Sequence, residues 1–247
     1  MNAWFQHAGS ELCEALLQQQ AVILWQEVEG TVWDARQAAR ALSAALLEAV
    51  GIEGLFVSRT GTAGLAGVAA CAWCPIGLDA EHGSPNAMDA AVRARALHPD
   101  EAATEHLMAG QDDPEPFFGL WARKEAVLKA LGTGLGLDPR LVAVGWPAAS
   151  WQRVTSPAGD HLEVRSISAP NTTPAALAVR FGHLASVSDR VRREVPQYDP
   201  TLRRLSVGVR NTQIHKALAG VAQGHRQNPA CPPRLSQHLV PCHDAAV

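Results

Sequence analysis

The sequence predicts a mixed α+β fold. Two helix-period apolar runs, near 34–50 and 117–131, alternate with short strand-like runs. Three further short strand-like runs lie between 150 and 180. Glycine and proline punctuate the boundaries, and no internal repeat is visible. The chain has 247 residues, 47% of them hydrophobic, enough to bury the core of one large domain or two small ones. Charged residues are 18% and the formal net charge is −3, which argues against a bulk nucleic-acid binder. No apolar run reaches the roughly 18 residues of a membrane span, and the start does not resemble a secretory signal. Five scattered cysteines, an odd number, suit a reduced, cytoplasmic protein.

In chain order, Asp34 is expected to cap a helix running to Val50. Ala35, Ala38, Ala39, Leu42, Leu46 and Val50 lie on its apolar side, and Gly51 stops it. Residues 54–60 and 64–73 read as strands. Pro75 interrupts the second, and Ile76–Glu81 resumes as another, which suggests a hairpin there. A helix is expected over about 86–96, and Pro99-Asp100-Glu101 opens a further helical turn. Pro114 closes that stretch before the helix Phe117–Leu131, which ends in glycines. Ser150–Thr155, His161–Ser168 and Ala175–Arg180 read as strands.

From Asp189 onward there are nine Lys/Arg and four Asp/Glu, against twelve and twenty before it. That segment also carries six prolines and little apolar periodicity, so 186–247 reads as a basic, weakly ordered tail with a helix near 210–222. The chain thus divides into a short N-terminal part (1–74), a second part carrying the motifs below (75–185), and the tail.

Two motifs carry chemistry. In Ile76–Glu81 the strand alternation puts Asp79 and Glu81 on one face, about 6.6–7 Å apart, with Leu78 and Ala80 facing the core. Two crowded carboxylates repel, and a hard cation such as Mg²⁺ relieves that while taking phosphate oxygens as further ligands. The plainer reading is a solvated strand end, and His82 reads as a surface residue. On the second helix, Phe117, Leu120, Trp121, Val127, Leu128 and Leu131 form an apolar stripe. Lys124 projects into that stripe, where its ammonium needs a partner. Glu125 and Lys129 sit one turn apart at its edge, as an ordinary surface pair or as part of a site. Gly132-Thr-Gly134-Leu-Gly136 lacks dinucleotide-loop spacing and follows a helix, so it reads as a helix stop. Cys71-Ala-Trp-Cys74 closes a strand and has no second pair nearby, which weighs against a metal or redox motif.

Gly-Leu-Asp-Ala-Glu at 77–81, followed by Trp-Ala-Arg-Lys-Glu-Ala-Val-Leu-Lys-Ala-Leu-Gly-Thr-Gly at 121–134, resembles the paired signature of 4′-phosphopantetheinyl transferases, G-x-D-x-E and W-x-x-K-E-A-x-x-K-x-x-G. The resemblance covers about residues 53–182 and points to the larger, monomeric Sfp-type branch. It implies two similar α/β halves packed as a pseudo-dimer, with coenzyme A in the cleft between them and a C-terminal extension here. It also implies transfer of the phosphopantetheine arm of coenzyme A to a serine of an acyl or peptidyl carrier protein. By position, Asp79, Glu81 and Glu125 would hold Mg²⁺ (or Mn²⁺), and Glu125 would take the serine proton. Lys129, with Lys124 assisting, would stabilise charge on the phosphates. Carrier protein would meet the surface around 84–120. Ser58-Arg59-Thr60-Gly61 occupies the place of the family's coenzyme A-contacting stretch, with Arg59 where its histidine falls. Arg36 and Arg40 are the remaining candidates for phosphate contacts, the family's basic N-terminal loop not being visible. The alternative is a non-catalytic relative that binds coenzyme A or carrier protein as an interaction module.

Overall fold

A computed structural model describes residues 16, 20–83, 90–108, 115–181 and 235–241. Its described part contains two four-stranded sheets. The first is built from β1 (Gln20–Glu27), β2 (Phe56–Thr62), β3 (Leu65–Cys71) and β8 (Leu235–Pro241), in the order β2-β3-β1-β8. The second is built from β4 (Ile76–Ala80), β5 (Gln152–Thr155), β6 (His161–Ser168) and β7 (Pro174–Phe181), in the order β4-β7-β6-β5. All neighbouring strands run antiparallel. Helix α1 (Val32–Val50) packs on β2 and β3, and α4 (Glu115–Leu131) packs on β4 and β7. Two shorter helices, α2 (Ala90–Ala96) and α3 (Pro99–Met108), precede α4.

The mixed α+β expectation holds. Its boundaries shift where local chemistry was misread. Thr31, not Asp34, caps α1: the Thr31 hydroxyl accepts from the Asp34 amide, and Asp34 returns a carboxylate to the Thr31 amide at 2.8 Å. This reciprocal capping box satisfies two otherwise unpaired donors. Gly51 closes the helix in the left-handed region, φ 66°, as expected. The hairpin expected across Pro75 is not formed. β3 pairs with β1 and β2, whereas β4 pairs with β7, so Pro75 marks a crossover between sheets.

Two strands escaped the sequence reading. Ala21, Val22, Ile23, Leu24 and Trp25 of β1 are all buried, so the strand is a continuous apolar run without the alternation that marks a half-exposed one. β8 comes from the segment read as a weakly ordered tail, yet it pairs with β1 over Leu235–Pro241. The rest of 186–247, including the helix expected near 210–222, lies outside the described residues.

One core fills the space between the two sheets and under α1, with Trp25, Leu46, Val68 and Leu78 among its members. A second lies between α4 and the outer face of the second sheet, with Leu120, Leu128, Val164 and Ala178. β4 therefore separates two cores, and all five of its residues are buried. Its neighbour on one side is β7. On the other side the amides of Leu78, Ala80 and His82 find side chains: they donate to the hydroxyls of Ser58, Thr60 and Thr62, at 2.9, 3.2 and 3.0 Å. Buried amides without partners would be costly. The Ser-x-Thr-x-Thr pattern of β2 thus joins the sheets by hydroxyls where no backbone ladder runs. Among the described residues, no helix is long and apolar enough to cross a membrane.

Candidate active site

The site lies where β2, β4 and α4 meet. α4 can approach β4 closely because Gly77 has no side chain: a Cβ there would lie 1.8 Å from the carbonyl oxygen of Ala126. That proximity carries Glu125 and Lys129 of α4 to Asp79. The Lys129 Nζ donates to Asp79 Oδ1 at 2.7 Å, to the Leu78 carbonyl at 3.0 Å and to the Arg59 carbonyl at 3.1 Å. One ammonium therefore ties β2, β4 and α4 together. The Thr60 hydroxyl donates to the same Asp79 Oδ1 at 3.1 Å. Asp79 Oδ2 is buried and has no hydrogen-bond partner.

Burial raises the proton affinity of all three carboxylates, and neighbouring negative charge adds to it for Glu81 and Glu125. Burial pushes the Asp79 carboxyl above its ordinary range, against the pull of Lys129 and Thr60. Burial, followed by the charges of Asp79 and Glu125, pushes Glu81 up to about 8. Burial and then Asp79 raise Glu125. Such shifts mark a poorly hydrated place with Asp79 near both glutamates. Among the described residues no three His, Cys, Asp or Glu side chains are arranged to hold a metal ion. The cation in direct contact with Asp79 is the Lys129 ammonium.

The other predicted residues are placed differently. Ser58 and Thr60 are buried, with their hydroxyls engaged by the β4 backbone as described above. Arg59, between them, is exposed, and its side chain lies on the opposite face of β2. Arg36 and Arg40 are exposed on α1. Lys124 is fully buried, but away from Asp79: its ammonium lies 2.7 Å from Glu101 Oε2 and donates to the carbonyls of Pro139 and Val142 at 3.0 and 2.6 Å. Glu101 in turn accepts from the amides of His98 and Val144, both at 2.8 Å. The sequence signalled that Lys124 needed a partner; α3 supplies it.

Residues 75–179 match the 4′-phosphopantetheinyl transferase superfamily. No curated protein sequence matches the chain. The matched segment runs from β4 through most of β7 and contains Asp79, Glu81, Lys124, Glu125 and Lys129. β1–β3 and α1, which bring Thr60 and the Arg59 carbonyl to the site, lie before the matched segment.

Sequence reasoning missed three residues that shape the site. Thr60 was noted for coenzyme A, not as the hydroxyl that fixes Asp79. Glu101 appeared only as a helix-opening acid. Arg123 is wholly buried and donates to the carbonyls of Gly145 (3.1 Å) and Val144 (2.6 Å) and to Gln152, anchoring α4 to the segment before β5.

Proposed function

We propose that the protein transfers the 4′-phosphopantetheine arm of coenzyme A to a serine of an acyl or peptidyl carrier protein. The observation that carries this is the meeting of Asp79, Glu81, Glu125 and Lys129 within the segment that matches the superfamily. By its chemistry the donor set suits a divalent cation, although among the described residues the carboxylates are not grouped to hold one. Asp79 presents a buried oxygen without a partner, and crowded carboxylates are relieved by positive charge. Asp79, Glu81 and Glu125 would hold Mg²⁺, with Mn²⁺ as a substitute. Bound there, the cation neutralises diphosphate charge and makes the β-phosphorus more electrophilic.

In the proposed step the carrier serine oxygen attacks the β-phosphorus of coenzyme A. The new bond joins serine to phosphopantetheine. The bond from the β-phosphorus to the bridging oxygen breaks, and adenosine 3′,5′-bisphosphate leaves. Glu125 accepts the serine proton, and its raised pKa makes it a better base than an exposed glutamate. Lys129 stabilises charge developing on the phosphates. Lys124 acts at one remove: tied to Glu101, it fixes the turn of α4 that presents Glu125. Arg59, exposed on β2, is the candidate for the 3′-phosphate.

The chain would act as a cytoplasmic monomer of the Sfp type, its two sheets with their helices forming a pseudo-dimer. The carrier would dock on the surface around 84–120, part of which lies outside the described residues. Incubating the protein with coenzyme A, Mg²⁺ and apo carrier, then weighing the carrier, tests the reading. A gain of about 340 Da, the mass of the arm, is expected. No gain across several acyl and peptidyl carriers would reject it in favour of a non-catalytic relative.

A further inference from the structure

Lys129 has three acceptors, all fixed by the fold: a carboxylate oxygen of β4, a carbonyl of β4 and a carbonyl of β2. Its side chain is 28% exposed and that of Asp79 only 7%. The Lys129 side chain thus keeps more contact with solvent than the carboxylate it pairs with. Asp79 Oδ1 is occupied by Lys129 and Thr60, while Oδ2 remains unpartnered.

We infer that Lys129 is the resident counter-cation of Asp79, and that it makes divalent-cation binding conditional on arrival of the diphosphate. This rests on the reading of the site given above and specifies an order of assembly within it. In the protein alone, the ammonium offsets the Asp79 charge and repels a second cation a few ångströms away. That repulsion is strong because the pair is shielded from bulk water. A diphosphate changes the balance. Its oxygens give the exposed ammonium new partners and add negative charge, so Lys129 turns from Asp79 to phosphate and the carboxylates accept the divalent ion. Lys129 therefore couples two ligands that do not bind well separately, and such coupling is reciprocal. The same arrangement keeps the acidic site neutralised between turnovers without a tightly held metal.

Mn²⁺ titration into the full-length protein tests this, following the free ion by electron paramagnetic resonance, with and without coenzyme A and with no carrier present. Wild type is expected to bind Mn²⁺ at least about tenfold more tightly when coenzyme A is present. Lys129→Gln removes the charge but retains a donor for the Arg59 and Leu78 carbonyls. It is expected to bind Mn²⁺ alone at least about tenfold more tightly than wild type, and to lose most of the coenzyme A enhancement. Lys129→Arg keeps the charge and should keep the coupling. A folded Lys129→Gln that binds Mn²⁺ alone no better than wild type overturns the inference. So does a wild type whose Mn²⁺ affinity ignores coenzyme A, a result that needs no variant. If wild type binds no Mn²⁺ under either condition, the cation site itself is refuted, and the proposed function with it.

Discussion

Lys124 Nζ lies 2.7 Å from Glu101 Oε2, and both side chains are sealed from solvent. Each is satisfied further by backbone: Lys124 by two carbonyls, Glu101 by the amides that begin α3 and precede β5. The pair joins α3, α4 and the segment 139–145 through one buried charge contact. Removing one partner leaves the other buried and uncompensated. Lys124→Met or Glu101→Gln should therefore destabilise the protein by about 3–5 kcal/mol. The double variant should lose less than the sum of the two. Urea unfolding midpoints measure this, and single losses below about 1 kcal/mol would contradict the geometry.

Glu125 directly follows Lys124 on α4, one turn before Lys129. Glu125→Gln keeps the shape and removes the base, so the transfer rate should fall at least about 10²-fold with the far-ultraviolet spectrum unchanged. Wild-type-like turnover would remove Glu125 from its assigned role.

The carboxyl of Glu81 is raised from 4.5 to about 8, first by burial and then by Asp79 and Glu125. Between those values the folded chain holds a proton that the unfolded chain has released. Stability in metal-free buffer must then fall as pH rises from about 4.5 to about 8 and level off above. Asp79 and Glu125, both raised, act in the same direction. Glu81→Gln should flatten the profile in denaturation series across that range. A Glu81→Gln profile as steep as wild type would show that Glu81 does not carry the effect.

Gly77 is the close-approach point of α4 on β4. Its missing Cβ would meet the Ala126 carbonyl, which is backbone and cannot swing aside. Gly77→Ala should cost about 1–3 kcal/mol. Activity should fall as well, because α4 carries Glu125 and Lys129 away from Asp79 as it moves. Gly136→Ala, where a Cβ meets nothing within 4 Å, is the control and should change stability by under about 0.5 kcal/mol.

Arg59 stands where the resembling family places a histidine, and its side chain is exposed. Arg59→Ala should raise the KM for coenzyme A while leaving that for 3′-dephospho-coenzyme A nearly unchanged. Equal increases for both donors would show that Arg59 does not read the 3′-phosphate.

Much of the fold was written locally. Gly51 and Gly132 end their helices in the left-handed region, and the periodic apolar positions of α1 and α4 face the cores. Antiparallel strands β5, β6 and β7 appear where short β-rich runs lie between turn residues. β1 was hidden because a strand buried on both faces lacks period-two alternation. β8 was hidden because its partner, β1, lies more than two hundred residues earlier in the chain, beyond any local signal.

By itself, the sequence determined the two long helices, most of the strands, and that acids and lysines belong to two separate motifs, because periodicity, caps and glycine stops act within a few residues. Only the tertiary structure decided the partners: Lys129 with Asp79, Lys124 with Glu101, and the β2 hydroxyls with the β4 amides. The reason is physical. A buried charge or amide must be satisfied, but which distant group satisfies it depends on how the sheets and helices pack, and several candidates in the chain carry the same chemistry.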